Sequence, residues 1–75
     1  MIGYSQQTVR RNRDADGRLI GVKLGRYCVA NEIPVSDVMA YFDVTKQTVY
    51  NWFAGTHVAS KRHTKLISEF LAHAR

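Results

Sequence analysis

The sequence has one cysteine, Cys28, and one proline, Pro34. A single thiol closes no bridge within the chain, so no disulfide framework is expected, which suits a reducing compartment. No stretch approaches the ~18 apolar residues that a membrane span requires. The first residues, Met1-Ile2-Gly3-Tyr4-Ser5, show no basic segment leading into an apolar run, so no secretory signal is expected. These absences predict a soluble cytoplasmic protein. No Gly-rich phosphate loop, nucleophile elbow or paired carboxylate signature is present, so the sequence does not read as an enzyme. His57, His63 and His73 with Cys28 match no zinc spacing. No metal or other cofactor is expected, and Cys28 reads as a small buried hydrophobe.

Carboxylates are also unevenly spread. Asp14, Asp16, Glu32, Asp37 and Asp43 precede Val44, and none follows until Glu69. Lys46, Lys61, Arg62 and Lys65 all fall within that gap, in a chain of formal net charge +5. Cations without anions over a continuous segment are what a phosphate-facing surface requires. A plain solvated positive face has the same composition, so charge alone does not separate the two.

At 75 residues the chain is one domain, and a domain of this size buries only about 60% of its unfolded surface. Residues 1–17 are polar, contain Arg10, Arg11 and Arg13, and end in the turn signal Asp16-Gly17. They read as a basic arm, flexible or a short hairpin. The remainder, 18–75, reads as a helical domain. Ile20, Leu24, Tyr27 and Cys28 recur at three- and four-residue spacing and predict a helix that stops near Asn31, ahead of Pro34. Ser36-Asp37 offers a cap and an acidic first turn for a short helix through Phe42, with Val38, Met39 and Phe42 inward. Thr45 is a suitable N-cap for a helix over Lys46 to about Ala54, closed by Gly55. Val49, Trp52 and Phe53 form its buried stripe. A last helix is predicted from about Ser60 to His73, on Leu66, Ile67, Phe70 and Leu71. The fold class is therefore all-α, a small bundle of four or five helices with a flexible or hairpin N-terminal arm.

Two short helices joined by three residues, the second capped by Thr, describe a helix-turn-helix over about 35–53. The segment Asp43-Val44-Thr45-Lys46-Gln47-Thr48-Val49-Tyr50-Asn51-Trp52 resembles the turn and recognition helix of lambda-repressor and Cro-like phage regulators. Trp52-Phe53-Ala54-Gly55 is similar to the Trp-x-x-Gly that closes that helix in the family. The resemblance implies a helical bundle docking in the major groove, as a dimer on a two-fold-related operator. Asp43 stands where the family has Gly, Met39 where it has a small Ala, and Val35-Ser36 where it often has a phosphate-binding Gln. A homeodomain reading fails, because its adenine-reading Asn would fall at Gly55.

With Val49, Trp52 and Phe53 inward, the other side of the second helix carries Lys46, Gln47, Tyr50 and Asn51, with Thr48 on the flank, and Lys46, Gln47, Thr48 and Asn51 are candidates for base contact. Thr45, Tyr50, Lys61, Arg62 and Lys65 are candidates for the DNA backbone. Arg10, Arg11 and Arg13 are candidates for an arm reaching the minor groove. The expected function is that of a small Cro-like repressor, nucleoid-associated and binding double-stranded DNA as a homodimer. The alternative is a phage or mobile-element module on the same fold that binds a host protein. Leu71 and Ala72, or Ile2 and Tyr4, are candidate dimer contacts.

Overall fold

The computed structural model describes residues 4–74. They form five helices, α1 (Gln6–Asp14), α2 (Ile20–Ala30), α3 (Val35–Phe42), α4 (Lys46–Ala54) and α5 (Lys61–His73), with no strand among them. None of these helices is long and apolar enough to cross a membrane.

Short capped helices follow from local chemistry. The hydroxyls of Ser5, Thr45 and Ser60 accept from the backbone N–H groups of Thr8, Thr48 and His63, satisfying one orphan donor at the start of α1, α4 and α5. Ser36 does not cap α3 as its residue type suggests. The helix begins one residue earlier, with Pro34 as N-cap, and Pro34 accepts from the amides of Asp37 and Val38. Three helix ends share one geometry. Glu32, Asp43 and Gly55 each have positive φ, and the following amide bonds back five residues, from Ile33 to Cys28, Val44 to Met39 and Thr56 to Asn51. Asp43 thus adopts the left-handed conformation that glycine takes more cheaply.

α2 and α4 cross at the centre of the molecule. Leu24, Cys28, Val38, Phe42, Val49, Trp52, Phe53, Ala59 and Ile67 form the buried cluster, with Val44, Met39, Leu66, Phe70 and Leu71 packed on it. Two glycines one helical turn apart make the crossing close. A Cβ at Gly21 would lie 2.7 Å from Trp52 Cβ and 2.9 Å from the Trp52 carbonyl oxygen, and one at Gly25 would lie 2.8 Å from Phe53 Cγ. Gly21→Ala is therefore expected to force the helices apart, at about 1–3 kcal/mol, lowering the melting temperature by roughly 5–20 °C. An unchanged transition in scanning calorimetry would show that the crossing has room to spare.

Residues 4–17, the described part of that segment, do not form a flexible or hairpin arm. Most of them form α1, and α1 is docked. Asn12, only 3% exposed, donates from Nδ2 to the carbonyls of Val22 (3.2 Å) and Phe53 (2.8 Å). Phe53 lies in the last turn of α4, where carbonyls lack a helical partner, so Asn12 caps α4 from outside. The Arg26 guanidinium reaches the carbonyls of Arg13 (3.2 Å) and Ala15 (3.1 Å) at the end of α1. Tyr4 stacks on Phe53 with ring centroids 5.7 Å apart, and its hydroxyl donates to the Ile33 carbonyl. Burial, and then the nearby Cys28, Tyr50 and Asp37, push the Tyr4 hydroxyl far above its usual pKa. Tyr4, one of the candidate dimer contacts, is thus engaged within its own chain. The other half of that suggestion, Ile2, lies outside the described residues.

Candidate nucleic-acid interface

α3 and α4 are joined by Asp43, Val44 and Thr45. Val38 and Phe42 of α3 and Val49 and Trp52 of α4 are buried together, with Val44 half-buried on them. The Phe42 and Trp52 rings meet edge to face at 6.0 Å. This packing fixes which side of α4 faces out. At 100° per residue, Gln47 and Asn51 lie opposite the stripe of Val49, Trp52 and Phe53.

The outward row is a connected polar surface. Gln47 Nε2 donates to Asn51 Oδ1 at 3.0 Å, and the Thr56 hydroxyl lies 3.3 Å from both the Asn51 side-chain and backbone oxygens. Thr45 and Thr48 pair their hydroxyls at 3.0 Å where α4 begins. Lys46, Gln47 and Thr45 are exposed, and Thr48, Tyr50 and Asn51 are half-buried. Six of the residues singled out from sequence therefore occupy one helix and its cap.

A cleft flanks α4 on each side. One, of about 250 Å³, is lined by Gln7, Thr8 and Arg11 of α1 and by Gln47, Tyr50 and Ala54 of α4. The other, of about 290 Å³, is lined by Thr48, Asn51 and Trp52 and by His57, Val58, Ser60 and His63. The start of α5 thus borders α4, which places Lys61 and Arg62 in the turn beside the second cleft, with Lys65 one turn further along. All three are exposed. His63 is held against Trp52, with ring centroids 5.2 Å apart and its Nδ1 2.9 Å from the Ser60 hydroxyl.

The three N-terminal arginines are not brought together. Arg11 faces the α4 cleft, whereas Arg10 and Arg13 line a separate hollow with Tyr4, Gln6 and Val9. Because they sit on a docked helix, they do not form the extended minor-groove arm that their sequence suggests. Arg13 pairs with Asp14 at 3.4 Å, and Arg18 pairs with Asp16 at 3.0 Å. The hydrogen bonds from Arg18 hold the Asp16 carboxyl below its usual range.

Sequence reasoning missed Asn12, Arg26, Thr56, Gly21 and Gly25. Only the two glycines carried a signal, since small residues at i and i+4 of a predicted helix mark a close approach. Cys28 is buried, and desolvation pushes its thiol up to about 11, so it stays protonated at neutral pH. No three His, Cys, Asp or Glu side chains come together among the described residues. No family model, no curated protein and no solved structure matches the chain, so the functional reading rests on these residues.

Proposed function

We propose that α3, the Asp43–Thr45 connection and α4 form a helix-turn-helix of the lambda-repressor and Cro-like kind. On this reading α4 enters the major groove of double-stranded DNA, and the protein acts as a sequence-specific repressor by occupying its operator as a homodimer. The observation that carries the reading is the division of α4. Its buried stripe is wholly apolar, while its outward row presents Gln47 and Asn51, with Lys46 exposed in its first turn, residue types suited to base edges.

Charge placement supports the same conclusion. Neither α4 nor α5 has an acidic residue in its first turn, and these turns begin with Lys46 and with Lys61-Arg62. Cations at a helix N-terminus oppose the macrodipole, at about 0.3–1 kcal/mol each. Arranging them beside the exposed face of α4 weakens the free protein and favours a polyanion. Thr45 and Ser60 cap these two ends, where N–H groups and hydroxyls also suit phosphate oxygens.

A second reading has its own observation. Tyr41 is 64% exposed and borders a groove with Tyr27, Leu66 and Phe70 between α3 and α5. An exposed aromatic over a partly apolar hollow that Glu69 and His73 also line fits a protein contact, in line with a module that binds a host protein. Selection from a randomised duplex library at near-physiological salt separates the readings. Enrichment of a short two-fold-symmetric site is the expected result. Retention without enrichment would indicate binding by charge alone, and no retention would favour the protein partner.

A further inference from the structure

We infer that α1 is a second DNA-contacting element, in which Arg11, supported by Gln7, grips the phosphate strand along one wall of the groove that α4 enters. This inference rests on the proposed major-groove docking of α4 and adds a contact to it. The geometry begins with size. An α-helix with its side chains is about 10–12 Å across, close to the about 12 Å width of the major groove. Once α4 occupies the groove, a helix packed on its flank has no room inside and must overlie the groove wall, which is the sugar–phosphate ridge.

α1 is packed in that position. Asn12 bonds the Phe53 carbonyl, and the cleft between the helices brings Gln7, Thr8 and Arg11 beside Gln47, Tyr50 and Ala54. Among the described residues, no carboxylate lines this cleft. Arg11 has no ion-pair partner among the described residues, whereas Arg13 and Arg18 each have one. Its guanidinium offers up to five donors in a planar fork suited to phosphate oxygens, and the Gln7 amide adds donors one turn earlier. Because α1 is locked to α2 and α4 through Asn12, the helix that carries Arg11 is held beside α4, and the side chain starts from a fixed position at the cleft. Arg10, its neighbour in sequence, opens into the other hollow with Tyr4, Val9 and Arg13 and lies off this path.

The test compares Arg11→Ala, Arg11→Lys and Arg10→Ala by fluorescence anisotropy, on the duplex recovered from the library and on a random duplex, from 50 to 300 mM salt. One lost phosphate contact lowers affinity roughly fivefold at 0.15 M salt and flattens the salt slope by about 0.9. Arg11→Ala is expected to show both changes, equally on the two duplexes, because a phosphate contact carries no sequence information. Arg11→Lys is expected to keep the salt slope, and Arg10→Ala to stay within twofold of the parent. Circular dichroism confirms that each variant is folded. If Arg11→Ala matches Arg10→Ala while Gln47→Ala still weakens binding to the selected duplex, the α1 contact is wrong and the docking of α4 stands. If the parent protein binds neither duplex, the docking itself fails and the α1 contact falls with it.

Discussion

Asn12→Asp is expected to remove a large part of the protein's stability at neutral pH and less of it in acid. The side chains have nearly the same shape, so packing is preserved and only the hydrogen-bonding character changes. The Asn12 amide donates to two carbonyls, those of Val22 and Phe53, in a site that solvent barely reaches. A carboxylate there donates nothing and sets negative oxygens against two carbonyl oxygens. An uncompensated buried charge costs about 3–5 kcal/mol, against a total stability of about 4–11 kcal/mol for a chain of this length.

The pH dependence has a definite sign. Burial without a partner raises the folded pKa of the introduced carboxyl above its unfolded value of about 3.9. The deficit relative to the parent is therefore smallest below about 3.9 and grows as pH rises towards the folded pKa. Protonated, the group regains one donor and one of the two hydrogen bonds. Urea titrations of parent and variant at pH 4 and pH 7 measure the difference. An equal difference at both values would show that the position is open to water.

Removing both outward amides is expected to erase sequence preference while leaving the fold intact. Each bidentate amide–adenine contact contributes about 1–3 kcal/mol of discrimination, so Gln47→Ala with Asn51→Ala should cost roughly thirtyfold or more in affinity for the selected duplex. Binding to a random duplex should change little, because the phosphate contacts remain. The two losses should not add. Gln47 and Asn51 bond each other at 3.0 Å, and side chains in contact couple by about 0.5–3 kcal/mol. Either single variant therefore frees its partner to reorient, and should account for more than half of the double variant's loss. Neither side chain belongs to the buried cluster, so the unfolding transition should move by no more than about 0.5 kcal/mol. Equal losses on selected and random duplexes would mean that these amides do not read bases.

The most legible element in the sequence was α4. Thr45, the Val49, Trp52 and Phe53 stripe, and Gly55 are local signals that agree with one another, and the helix has the bounds they predict. α2 and α5 were readable for the same reason, because apolar spacing reports directly on a buried face. α1 was not readable. Its nine residues contain one apolar side chain, Val9, so periodicity had nothing to register, and the helix is fixed in place by a polar residue whose partners lie elsewhere in the chain. The start of α3 was misplaced for a related reason. Ser36 has a good capping side chain, but Pro34 can occupy the N-cap without one, and Val35 packs on the core. On the interface side, the face of α4 followed from its core stripe. The splitting of Arg11 from Arg10 and Arg13 depended on α1 docking and was invisible without it.

The bond from Asn12 to Phe53 links residues 41 positions apart, and this imposes an order on assembly. A ribosome delivers residues at roughly 5–20 per second, so α1 is synthesised roughly 2–8 s before its docking site on α4 exists. An apolar first helix would spend that interval as an exposed sticky surface. The glutamines, threonine and arginines of α1 can wait in water without self-association, and the helix is recruited only when the far end of α4 needs its cap. The polarity that hid α1 from a reading of the sequence also protects it during synthesis.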